Sequence, residues 1–134
     1  MAGKGGGSVK RSWMGLVLLV VLLLSGLGLS RRMVQSCRED SGLLSLAADA
    51  ALAENWQQAA SLTARARQSW DSWEFFRCAM ADHSHAEEID VLFSVLEVYG
   101  AGRSKLSFAS VCREAAQKLE DLGDAQKLNL HNLL

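Results

Sequence analysis

A run of uncharged residues near the amino terminus most constrains what this chain can fold into. Nineteen residues without charge separate Arg11 from Arg31, and their central part contains only leucine and valine. At about 1.5 Å of rise per residue, a helix of that length spans roughly 29 Å, close to the hydrocarbon thickness of a bilayer. Trp13 stands near the start of the run, where an amphipathic ring favours the membrane interface. We therefore predict a flexible basic tail over residues 1–11 and a transmembrane signal anchor in membrane lipid over residues 12–30.

Two other interpretations of the run stay open. Gly28 and Ser30 are small residues before Arg31, as in a signal-peptide cleavage site, so a secreted helical protein is the first alternative. The uncleaved anchor is favoured because the run is longer than an ordinary signal core and because two arginines would directly follow the cleaved bond. The second alternative, a helix inside a soluble core, would carry a polar face, and this run has none.

The charges that flank the run bear on its orientation. Three basic residues precede it, and Arg31, Arg32 and Arg38 follow it, so the positive-inside bias is nearly balanced. A short tail before a first and only span favours a cytoplasmic amino terminus. We therefore expect a single-pass protein of the cell membrane with an extracytoplasmic carboxyl-terminal domain.

The rest of the chain has the composition of a helical domain. From residue 31 onward only seven residues are β-branched, alanine and leucine dominate, and the whole chain lacks proline. Apolar residues recur at spacings of three and four in four stretches, which predict helices over residues 41–54, 55–80, 84–99 and 108–123. Ser41 and Asn55 are the expected caps of the first two.

The predicted fold class is all-α, with one N-terminal transmembrane helix followed by an antiparallel bundle of about four helices. The corresponding regions are a juxtamembrane segment at 31–40, the helical bundle at 41–123 and a C-terminal arm at 124–134. Leucines alternate with polar residues in the arm, which predicts an extended segment docked on the bundle; an exposed partner-binding peptide is the alternative.

The densest polar cluster is ADHSHAEEID, at residues 81–90. On a helix, Asp82 would share a face with His85, and His83 with Glu87, so that each pair offers two metal ligands. A di-metal bundle needs a second pair of this kind, which the sequence lacks. We therefore expect no metal or other cofactor, and a metal-binding or catalytic bundle that uses His83, His85 and Glu87 is the alternative.

The sequence contains no recognisable catalytic set, such as a serine in the context G-x-S-x-G, so we expect a protein that is not an enzyme. Nucleic acid is not an expected partner either. After Arg38, eight basic residues stand against fifteen acidic ones, and the local charge of −7 repels phosphate.

Cys37, Cys78 and Cys112 form an odd set without C-x-x-C spacing, which does not indicate a zinc or thioredoxin-like site. Cys37 follows the span closely and is a candidate for lipidation or an intermolecular disulfide. Cys78 and Cys112 are predicted to be small core residues, with a bridge between them as the alternative in an exported domain.

The tryptophans of the domain are its strongest anchors. The helical spacing of Trp56, Trp70 and Trp73 favours core packing over a binding platform. Any of the three that was exposed would be the first candidate for an interaction hot spot.

The order of several short features resembles domain-of-unknown-function family 4363. These features are a basic start, a single span, a W-x-x-A helix at residues 56–59, the later Trp70, an H-x-E-x-I-D element at residues 85–90 and the terminal L-N-L-x-N-L-L at residues 128–134. The family consists of small, helical, membrane-anchored proteins of Gram-positive bacteria with no established reaction. The cysteines and the glycine-rich start depart from its pattern.

The resemblance implies a helical domain beside a membrane and draws attention to His85, Glu87, Asp90 and Asn132. We interpret these residues as an interhelical hydrogen-bond cluster in which Asn132 ties the terminal segment to the bundle.

Taken together, the sequence predicts a non-enzymatic, membrane-anchored protein whose domain binds or stabilises another envelope protein. The candidate structural or interaction positions are Trp56, Trp70, Trp73, His85, Glu87, Asp90 and Asn132. The span lacks a G-x-x-x-G motif, so the sequence indicates neither span-driven dimerisation nor any other oligomeric state.

Overall fold

The computed structural model describes the backbone of residues 2–74 and 84–133 and the side chains of residues 9–74 and 84–132. Within these ranges it contains four helices and no strand: α1 (Ala2–Leu52), α2 (Trp56–Asp71), α3 (Ser84–Ala101) and α4 (Lys105–Leu133). The all-α prediction is confirmed for this part of the chain. The chain divides into two compact units, Met1–Arg32 and Met33–Leu134.

The first unit contains the apolar part of α1. Among the described residues, α1 is the one helix long and apolar enough to cross a membrane, and no residue of its most apolar window is buried. That exposure argues against a helix inside a soluble core, which would bury such a surface. The helix begins at Ala2, so the tail predicted to be flexible at residues 1–11 is helical from residue 2. Continuing an existing helix fixes only one further residue for each hydrogen bond gained.

The second unit also begins within α1, which runs on as the first helix of the bundle. Met33, Cys37, Asp40 and Leu44 are buried at alternating spacings of four and three, so one face of this helix packs against the core from residue 33 onward. The prediction of a helix cap at Ser41 is therefore wrong, and the segment predicted to be juxtamembrane at residues 31–40 is part of the same helix. Ser41 lies inside the helix, and its hydroxyl donates a hydrogen bond to Glu120 at 3.1 Å.

Two short turns connect consecutive helices. Asn55 caps α2 as predicted, with its side chain accepting a hydrogen bond from the Gln58 backbone N–H. Glu54 precedes it in the left-handed region, at φ 62°, and Arg103 adopts the same conformation between α3 and α4, at φ 50°. Helix α2 ends at Asp71, and Ser72 and Trp73 form a turn, so the helix predicted over residues 55–80 ends earlier; residues 75–80 lie outside the described residues.

Helix α4 continues well past Gly123, where the sequence analysis ends it. A Cβ atom on Gly123 would lie 3.4 Å from the Cβ of Cys37 and 3.7 Å from the backbone oxygen of Val34. Because glycine has no side chain, Gly123 allows α4 to pack closely against α1. It does not end the helix. The arm predicted to be extended at residues 124–134 is therefore helical through Leu133.

The core of the second unit is formed by large apolar side chains from all four helices, of which the most deeply buried are Trp70, Phe93, Met33, Leu44, Ile89, Leu96 and Leu119. Polar pairs at the edges of this core connect α4 to α1 and to α3. Asp49 and Ser41 of α1 contact Arg113 and Glu120 of α4, and Glu88 of α3 contacts Lys118 of α4. Each connection joins residues that are far apart in sequence, so the bundle is held by tertiary contacts.

Candidate functional site

A groove of about 630 Å³ lies between α2 and α3. Its apolar side chains come from Phe93 and Leu96 of α3 and Phe108 of α4, each 1–2% exposed, so they belong to the core as well as to the groove wall. Helix α2 contributes residues 60, 63, 64, 67, 68 and 71, which share one helical face. The volume falls in the range of binding pockets for small molecules and for single side chains of a partner.

The groove is open because its walls carry small residues. Ala60 and Ala64 line it on α2, and Gly100 and Ala101 line it on α3. A Cβ atom on Gly100 would lie 3.3 Å from the ring of Phe108, so glycine at this position lets the aromatic ring settle against α3. Phe108 in turn meets the edge of Trp56, with ring centroids 5.5 Å apart.

Arg67 is the one basic side chain that lines the groove. Its guanidinium lies 5.8 Å from the centroid of Phe93, a cation–π contact. Its Nε is 3.6 Å from the Asp71 carboxylate and its Nη1 is 3.7 Å from that of Glu97, so both ion pairs are longer than a hydrogen bond. The Nη1 atom is buried and has no hydrogen-bond partner among the described residues.

The outward side of α3 continues this surface. Val91 and Val98 are 60% and 68% exposed, and Val95 between them is half-buried. A shallow hollow of about 360 Å³ lies along these valines and shares Arg67 with the groove. We refer to the groove together with Val91, Val95 and Val98 as the α2–α3 surface.

Acidic side chains border the α2–α3 surface. Asp71 and Glu97 stand at the groove, and Asp90 lines the hollow along the valines. Glu87, one turn before Val91, lines a neighbouring depression with it. Glu88, Glu114 and Lys118 also line that depression, so among the described residues the carboxyl groups outnumber the two basic side chains Arg67 and Lys118, and the surface has a negative balance.

The three tryptophans singled out by the sequence pack within the domain. Trp70 is 1% exposed, and its indole N–H donates a hydrogen bond of 2.7 Å to Asp90. Trp73 is half-buried and donates to Ser36 at 3.0 Å, while Trp56 is half-buried against Phe108. None of the three is an exposed platform.

The polar positions suggested by the family resemblance do not converge. Asp90 is brought to Trp70, whereas His85 and Glu87 are exposed at the start of α3. Asn132 is exposed near the end of α4, and its side chain makes no hydrogen bond to another described residue, so among these residues it does not tie the terminal segment to the bundle. The predicted link fails because α4 stays helical and presents Asn132 to solvent.

Within the described residues, no group of three or more histidine, cysteine, aspartate or glutamate side chains could hold a metal ion. His83 lies outside those residues, so the alternative site built from His83, His85 and Glu87 stays a prediction.

Cys37 and Cys112 are buried free thiols, and Cys78 lies outside the described residues. Burial raises the pKa of both thiols to about 12, and for Cys37 the nearby Asp40 adds to the effect. This burial argues against a lipidated or bridging Cys37. Cys37 faces α4 because α1 enters the bundle at residue 33.

A second polar cluster, missed by the sequence analysis, connects α1 and α2. The Trp73 indole donates to Ser36, the hydroxyls of Ser36 and Ser69 are 3.0 Å apart, and Ser69 hydrogen-bonds the Asp40 carboxylate. Burial raises the pKa of Asp40 from 3.8 to about 6, the hydrogen bond from Ser69 opposes that shift, and Glu39 adds to it.

Comparisons with known proteins return no match: no family model, no curated protein and no solved structure is similar to this chain. The resemblance to family 4363 thus rests on its short motifs and stays a prediction.

Proposed function

We propose that this chain is a single-pass protein of the cell membrane whose helical domain binds another envelope protein through the α2–α3 surface and catalyses no reaction. The observation that carries the proposal is an apolar groove that continues into exposed valines on a helix, in a domain that follows a potential membrane span. Contiguous exposed apolar surface with a polar border is typical of protein interaction sites.

The membrane anchor supports a membrane-bound partner. A domain held at a bilayer encounters other proteins of that bilayer at a raised effective concentration, so a modest surface is sufficient for binding. With the domain on the extracytoplasmic side of the membrane, the partner would lie in the envelope.

The proposal includes an antiparallel arrangement of the bundle helices. From Asp49 to Ser41 of α1, the contacts on α4 advance from Arg113 to Glu120, so sequence numbers run in opposite directions. We propose the same antiparallel arrangement for α2 and α3, which line the groove together.

Site-specific photo-crosslinking in intact cells tests the proposed function. A photoreactive residue at Val98 is expected to yield a discrete protein adduct. The same residue at Leu106, which is 73% exposed on α4 and outside the α2–α3 surface, is the matched control and is expected to yield none. Absence of any adduct at Val98, or the same adducts at both positions, would count against the proposal.

A further inference from the structure

Resting on the proposed function, we infer that the partner presents a basic amphipathic helix to the α2–α3 surface. The inference depends on three separate properties of this surface: its exposed residue types, its shape and its charge.

The exposed residue types are unusual for a helix that faces only water. Val91, Val95 and Val98 follow one another at spacings of four and three, which places them along one face of α3. β-branched side chains lower helix propensity, and at exposed positions burial within the domain does not offset that cost. Contact with a partner supplies the burial that this face lacks in the isolated chain.

The shape of the surface fits a helix. The groove runs between two helices. Its apolar residues Phe93 and Leu96 lie on α3 beside Val91, Val95 and Val98, which we call the valine ridge. A partner helix laid along this line places residues spaced by three and four into the groove and against the ridge, as in other helix-in-groove complexes.

The charge of the surface selects a basic partner. Asp71, Glu87, Asp90 and Glu97 surround the apolar positions, and Arg67 is engaged at long range by two of these acids. Lysine or arginine side chains on the flanks of a partner helix would meet this border, whereas acidic flanks would be repelled.

The direct test uses the full chain in nanodiscs of zwitterionic lipid and a fluorescent amphipathic peptide of leucine and lysine, about five turns of helix long. We expect the peptide to bind, and we expect Glu97→Lys and the double variant Val91→Ser/Val98→Ser each to weaken binding about tenfold or more. Leu106→Ser is the matched control, with unchanged binding expected. Since all these positions are exposed, circular dichroism of each variant should match the parent chain.

The outcomes separate this inference from the proposed function. Equal binding of a matched leucine–glutamate peptide, equal binding of the lysine peptide to empty nanodiscs, or an equal loss in Leu106→Ser would overturn the inference. Mapping the adduct formed at Val98 in cells adds an independent readout. A crosslink to a basic helical segment supports both claims, and one to an acidic or non-helical protein segment overturns only the inference. A crosslink to lipid alone overturns both.

Discussion

Trp70→Ala is expected to lower the free energy of unfolding by about 3–5 kcal/mol, the usual cost of truncating a fully buried aromatic residue. Trp70 is 1% exposed and belongs to the same core as Phe93 and Leu96, and its indole hydrogen-bonds Asp90. Small domains are stable by about 5–15 kcal/mol, so this change would leave the bundle marginally folded. Urea unfolding of the full chain in detergent, followed by circular dichroism, measures the effect.

Two controls identify the cause of the loss. Trp70→Phe keeps most of the buried ring but loses the N–H donor, and we expect it to cost about 1–3 kcal/mol. Trp56→Ala removes a half-buried ring and should also cost less than Trp70→Ala. If Trp70→Ala cost no more than either control, the placement of Trp70 at the centre of the core would be wrong.

Asp40→Asn is expected to remove a pH dependence of stability between about pH 4 and pH 6. Burial raises the pKa of Asp40 in the folded state from its ordinary value of 3.8 to about 6. Below pH 3.8 the Asp40 carboxyl is protonated in both the folded and the unfolded chain, and the folded chain has its full stability. As the pH rises through 6 the buried carboxyl must ionise, and that part of the stability is lost. After allowance for partial solvent screening, the loss is roughly 1–3 kcal/mol.

The uncharged amide avoids this loss, so Asp40→Asn should be more stable than the parent chain at pH 7 by a similar amount. Unfolding curves at several pH values, compared between variant and parent, provide the measurement. Asp49→Asn alters an exposed carboxylate paired with Arg113 and is the matched control, for which we expect an unchanged pH profile between pH 4 and pH 6. A parent-like pH profile in Asp40→Asn would show that Asp40 is not the titrating group.

Local patterns were sufficient to predict the elements whose determinants lie close together in sequence. The apolar run, the Asn55 cap and the start of α3 were all anticipated correctly. The continuity of α1 was not, because Asp40 and Ser41 look like the polar start of a helix although they occupy core-facing positions. The buried positions from Met33 to Leu44 recur at spacings of four and three, which indicates one continuous helix. The two polar residues within this stretch obscure that pattern.

The features that define the candidate site depend on contacts between distant residues. The sequence around Gly123 does not show whether this glycine ends a helix or allows two helices to pack closely. Its short distance to Cys37 in the structure shows that it allows close packing. The groove likewise requires small residues on α2 to face small residues on α3. The sequence does not assign the exposed valines of α3 to a site. Helical periodicity separates the two faces of a helix, but it does not show what each face contacts.

The central claim is that the helical domain stays tethered to a membrane by residues 12–30, and membrane fractionation combined with mass spectrometry tests it most directly. The account predicts that the chain stays in the membrane fraction after alkaline carbonate extraction and that its intact mass includes the whole apolar run. Recovery of a soluble chain that begins at Arg31 would contradict the tether and favour a secreted domain.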